Sequence, residues 1–141
     1  MSAKNGSTQG SLTGLRVLDL TRVWAGPLAT RIYGDYGADV IKISDPRVPL
    51  ISPNGLNSKL NRNKKNIGLR LDKPDGREIF LELTVLSDVI IENFRPRVMR
   101  NLDITYETLA KVNPHIIMCS MPGFGLDGPY SEYPAFGTTA E

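Results

Sequence analysis

The chain has 141 residues, 40% hydrophobic and 23% charged, with a formal net charge of +2. That length is enough for one domain that buries roughly 68% of its unfolded surface without a disulfide or metal staple, and the charge is too small to make nucleic acid the main partner. The single cysteine, Cys119, sits in an apolar run and reads as a buried structural thiol in a reducing compartment, and no apolar run approaches the ~20 residues of a membrane-spanning helix.

Met1 to Ser11 are small and polar with no hydrophobic centre for a signal peptide; residues 1–11 read as a disordered tail and 12–141 as the domain of a cytoplasmic protein. Leu15 to Leu20, apolar and β-branched at its centre, has the pattern of a buried strand. Gly26-Pro27 opens a helix, because Pro27 pre-sets φ and needs no amide hydrogen in the first turn. Gly37 closes that helix in a left-handed conformation, and Val40 to Ile43 resumes strand. Pro46, Pro49, Pro53 and Gly55 then mark a long irregular loop.

The polar basic stretch Ser58 to Asn66 leads into a short strand at Ile67 to Leu71. A helix follows with Asp72 as its cap, and Ile79, Phe80, Leu83 and Leu86 share its apolar face. Asp88 to Glu92 is another buried strand. Short helices are expected over Pro96 to Leu102 and, capped by Thr105, over Tyr106 to Val112. Asn113-Pro114 breaks the second, and His115 to Met121 forms the last strand. Thr138 to Glu141 has the pattern of a capped helix opening, the mark of a truncated chain. The order β-α-β-β-α-β-α-β predicts an α/β class: a Rossmann-like, largely parallel sheet with helices on both faces, an incomplete large domain.

Gly123 to Gly128 matches G-x-G-x-x-G, but Pro129 and Pro134 oppose the helix that a dinucleotide site needs at that turn. The first β-α turn has only Gly26, and Asp45 reads as a loop residue. What remains is the strand-end edge, where ligands of parallel sheets bind. There the loops bring together Arg22, Trp24, Asn93, Phe94, Arg95, Arg97 and the Gly123–Gly128 loop. Lys59, Arg62, Lys64, Lys65 and Arg70 add a run of positive charge with no acid inside it. Guanidinium forks and ammonium groups suit phosphate, and Trp24 and Phe94 offer faces for a planar base. The same lysines also read as an ordinary solvated face, with Phe94 in the core.

Leu15 to Thr21 followed by Ala25-Gly26-Pro27 resembles the amino-terminal signature of the family III CoA-transferases, the formyl-CoA transferase and carnitine CoA-transferase group. The resemblance continues through Gly34 to Ile43, Asn63-Lys64-Lys65, Asp72 to Gly76, Glu92 to Pro96, Asn113-Pro114 and Gly123-Phe124-Gly125 with Gly128-Pro129. It runs in order over residues 13–141. It implies that the ADP part of coenzyme A, as a substrate and with no metal, lies across the strand-end edge. The CoA-contacting positions it implies are Arg22, Val23, Trp24 and Ala25 in the first turn, and Leu69 with the backbone to Asp72. Asn93, Phe94 and Arg95 follow, then Asn101 (an arginine in many relatives), and Gly123 and Phe124 in the last loop. Ser44 and Asp45 stand where several relatives carry arginine or a Glu-Pro pair.

The resemblance also implies chemistry. Family transferases use an aspartate nucleophile that opens the acyl-CoA thioester to a mixed anhydride, after which CoA passes through an enzyme thioester to an acceptor acid. That aspartate follows the segment matching Ala135 to Glu141, so no catalytic residue is expected among these 141. The implied partners are an acyl-CoA and a carboxylic acid, with no nucleic acid or membrane, and the implied assembly is an interlocked homodimer at full length. Two alternatives are a truncated CoA-binding module without activity and an acyl-CoA racemase of the same fold. The racemase uses a histidine near the position that Phe136 holds here.

Overall fold

The computed structural model describes residues 10–48 and 55–135. The expectations for the tail up to residue 9, for Pro49 and Pro53 in the loop, for Phe136 and for the helix opening at Thr138 lie outside them. The elements are β1 (Arg16–Asp19), α1 (Ala25–Asp35), β2 (Asp39–Ser44), α2 (Leu56–Asn61), β3 (Lys64–Gly68), α3 (Pro74–Val85), β4 (Val89–Glu92), α4 (Pro96–Asn101), α5 (Tyr106–Val112) and β5 (Ile117–Ser120). All five strands are parallel and lie in the order β3-β2-β1-β4-β5. This is the doubly wound order, and its switch point lies between β1 and β4, where successive connections leave in opposite directions.

Alternation along the central strands divides the core into two layers. Leu18, Leu20 and Ile90 face Phe80 of α3, Met99 of α4 and Leu109 of α5. Val17, Val40, Val89 and Ile91 face the other side, with Tyr33 of α1 packed on them. Leu18 is opposite Ile41 on one neighbour and Ile90 on the other, so the centre of β1, Val17-Leu18, is apolar and fully buried on both faces. Gly37 takes φ of +96° just beyond α1, as the turn requires.

Several elements depart from the pattern reading. The strand expected at Ile67 to Leu71 begins three residues earlier, at Lys64, and a short helix, α2, precedes it within the basic stretch. Pairing drives the shift: β2 offers Val40 to Ser44 to Lys64 to Gly68, and Asn63 turns the chain between helix and strand at φ of +59°. Asp72 does not cap α3; Lys73 holds that position, and the Asp72 carboxylate is held by Arg70 instead. The buried face of α3 runs through Gly76, Phe80 and Thr84, whereas Ile79 and Leu86 are exposed. Cys119 is also exposed, because β5 is an edge strand whose α1-side face has nothing packed over it among the described residues. No helix among the described residues is long and apolar enough to cross a membrane.

Candidate functional site

The carboxyl end of β1 is organised around a buried carboxylate. Asp19, fully buried, accepts from the Thr21 amide at 2.8 Å and hydroxyl at 2.5 Å through Oδ1, and from the Thr30 hydroxyl at 2.7 Å through Oδ2. Lys42 lies 3.3 Å from Oδ1 and Lys64 2.9 Å from Oδ2. Lys64 Nζ also donates to Pro27 O, Thr30 Oγ1 and Asn61 Oδ1, and Lys42 Nζ to Thr21 O. Burial works to raise the Asp19 carboxyl, but Lys42, Lys64 and the two hydroxyls outweigh it and hold it below the usual carboxylate range. Burial lowers both lysines against the pull of Asp19. The network belongs to the fold: it ties β1, α1, β2 and β3 together and fixes Thr21, the residue from which the first turn departs.

Beyond Thr21 the turn leans on β4. The Arg22 amide donates to Asn93 Oδ1 at 2.7 Å, and Asn93 Nδ2 donates to Arg22 O at 2.8 Å. The Arg22 guanidinium lies 5.4 Å from the centre of the Phe94 ring, within cation–π range. Arg22 and Arg95 have no acidic partner among the described residues. Beneath Phe94, the buried Glu92 accepts from the Phe94 amide at 2.8 Å. Desolvation pushes the Glu92 carboxyl up, opposed by Ser120 and that amide.

The far wall is a chain of ion pairs. Arg47 reaches Asp45 at 2.6 Å and Asp72 at 3.6 Å, and Arg70 reaches Asp72 at 2.6 Å. Arg47 holds Asp45 well below the usual carboxylate range, and Arg70 brings Asp72 down to about 2. Between the walls lies a cavity of about 820 Å³ floored by Leu20, Ile43, Leu69, Leu71, Val98 and Leu102. Its size is in the range of small-molecule sites. The loop after β5 closes one side through Gly123, Pro134 and Ala135. Glu132 fastens that loop to α4, accepting from the Arg97 amide at 3.1 Å and Arg100 at 2.7 Å.

Arg22, Val23, Trp24, Ala25, Leu69, Asp72, Asn93, Phe94, Arg95 and Gly123 all line this cavity, while Asn101, on the exposed end of α4, and Phe124 stand outside it. The basic run does not form a patch. Arg62 pairs with Asp35, Lys65 with Asp39, Arg70 with Asp72, and Lys64 is buried on Asp19. Apart from Asp72, two residues from Arg70, the acids that neutralise it come from elsewhere in the chain, which a window of sequence cannot reveal. Arg47, Asp45 and the apolar floor apart from Leu69 were missed as lining residues; Asp45 directly after a strand was the available signal.

Residues 12–141 match the family described as CoA-transferase family III. Acetyl-CoA:oxalate CoA-transferase of Acetobacter aceti is 43% identical over 94% of this chain and 36% of its own length. Succinyl-CoA:glutarate CoA-transferase of Mus musculus is 39% identical over 92% of this chain and 32% of its own. The chain thus spans about a third of the length of these curated relatives. Among solved structures, a CAIB/BAIF family protein from Brucella suis superposes with a TM-score of 0.82 at 34% identity, covering 93% of this chain and 38% of that one.

Proposed function

The chain belongs to CoA-transferase family III, and we propose that it supplies the coenzyme A-binding part of an enzyme that moves CoA between an acyl-CoA and a carboxylic acid. The observation that carries this reading is the crevice between β1 and β4. Arg22 stands there over Phe94 with no acid to neutralise it among the described residues, at the mouth of a largely apolar cavity. An unpaired guanidinium suits a phosphate oxygen, and the apolar floor suits the adenine ring and the carbon chain of the carrier. Arg95, at the start of α4, adds a second cation on the same side.

In this reading the described residues bind and orient, and the chemistry is done by an aspartate that follows them. The aspartates of the strand-end loops and of β1 fit other roles: Asp19 is buried between two lysines, Asp45 and Asp72 are bound by arginine, and Asp127 sits in an exposed turn. The proposed reaction attacks the thioester carbonyl with that carboxylate, expels the CoA thiolate and leaves an acyl-aspartyl anhydride. The CoA thiolate then attacks the aspartyl carbonyl and releases the donor acid as its carboxylate, leaving CoA on the aspartate as a thioester. The acceptor carboxylate attacks that thioester, expels the thiolate and forms a second anhydride. The thiolate attacks its acceptor carbonyl to give the new acyl-CoA and the free aspartate.

The test is direct. The complete protein, given succinyl-CoA and a panel of carboxylic acids, is expected to form new acyl-CoA products, and the 141-residue chain is expected to form none. Turnover by the short chain, or a preference for a nicotinamide dinucleotide over CoA, would overturn the reading.

A further inference from the structure

Resting on the coenzyme A reading of the cavity, we propose that Asn93 is a positioning residue that acts through the Arg22 backbone, rather than a group whose own contact with the nucleotide provides affinity. The β1–β4 ladder ends where the Leu20 amide donates to Ile91 O at 2.9 Å. One residue later Thr21 turns its amide inward to Asp19, so backbone pairing stops. Asn93 resumes it with its side chain. Its amide oxygen and nitrogen bond the N–H and C=O of Arg22 at 2.7 and 2.8 Å, as an opposing peptide would in a sheet.

The turn needs that support. Val23, the next residue, has φ of +69°, a left-handed conformation that a β-branched side chain adopts only when its surroundings impose it. Val23 and Trp24 are 68% and 52% exposed, so their side chains offer little anchorage. Thr21 is fixed below by Asp19 and Lys42, and Arg22 is fixed beside β4 by Asn93. With the backbone held by these two clamps, the Arg22 guanidinium lies over the Phe94 ring, 5.4 Å from its centre. One donor hydrogen and one lone pair of the Asn93 amide remain uncommitted. The contest between positioning and direct contact is therefore decided by coupling, not by counting bonds.

A double-mutant cycle supplies that measurement. In the complete protein, CoA dissociation constants are compared for the wild type, Asn93→Ala, Arg22→Ala and the double variant, with thermal unfolding confirming the fold. If Asn93 acts through Arg22, each single change weakens binding about tenfold, and the double variant is no weaker than either single one. Asn93→Gln runs the same cycle should the alanine variant fold poorly. It keeps the amide chemistry but displaces it by one methylene, so it is expected to lose affinity like alanine.

Multiplicative losses in the double variant, or unchanged affinity in both Asn93 variants while the wild type binds CoA, would overturn this inference alone. A wild type that does not bind CoA would overturn the reading of the cavity and this inference with it.

Discussion

At the carboxyl end of β4, Glu92 carries a carboxyl group that is 2% exposed, beside Ser120 and under the Phe94 amide, with no cation facing it among the described residues. Its folded pKa is raised by desolvation, so its stabilising contribution is complete below the unfolded value of about 4.3 and is lost as pH rises through the folded value. Glu92→Gln keeps the shape and the acceptor for Phe94 but removes the titration. The stability difference between the two proteins, read from urea midpoints between pH 4 and 7, is therefore expected to move in favour of the glutamine variant as pH rises. A constant difference would mean that Glu92 ionises as freely in the fold as in the unfolded chain. The buried network at Asp19 shows what single residues conceal in sequence. Asp19, Lys42 and Lys64 are far apart in the chain and unremarkable in composition, and Lys64 reads as one member of a basic run. Only the parallel register of β1, β2 and β3 brings their charges to one point.

Among the elements, α1 depends on a contact that ordinary helix propensity would misjudge. Gly26 lies in its first turn, and an added Cβ would sit 2.4 Å from the Thr21 Cβ and 2.5 Å from its Cγ2. Alanine usually favours a helix over glycine by about 1 kcal/mol. At this position the sign reverses, because Thr21 is anchored on both sides by Asp19 and cannot give way. Gly26→Ala is expected to destabilise the fold by about 1–3 kcal/mol, the range for overpacking a closed site. A chemical denaturation curve checks it; a gain in stability would show that the turn yields. Elements with a strong pattern, such as β1, β4 and the switch from α1 through Gly37 to β2, were legible in sequence to within a residue or two. The error at β3 arose because Lys64, Lys65 and Asn66 carry no strand pattern of their own and are drawn into the sheet by the open edge of β2. The face of α3 was misjudged for a related reason. Thr84 is fully buried, its hydroxyl bonded to Phe80 O, while Ile79 stays at the surface, so polarity alone pointed to the wrong stripe.

For the molecule as a whole, the sheet is unequally covered. On the side of α3, α4 and α5 the apolar layer extends from Ile43 on β2 to Ile116 beside β5. On the α1 side it stops at β4 over the length of β5: Val89 and Ile91 are buried and Met121, just beyond β5, packs against their cluster, but their β5 neighbours Ile117 and Cys119 are exposed, Ile117 at 61%. Strands of a parallel sheet are normally covered on both faces, and an open apolar column invites a further layer. The curated relatives are about three times as long as this chain, so a complete protein of their length has ample polypeptide to supply that layer. Cys119 reports on it without disturbing it. In the 141-residue chain, a maleimide is expected to label this single thiol at close to the rate measured after unfolding in urea. In the complete protein the same thiol, identified by peptide mapping, is expected to label far more slowly until denaturant is added. Equally fast labelling in both would mean that the β5 face stays open to solvent, and that the apolar column ends at β4 in the finished molecule as well.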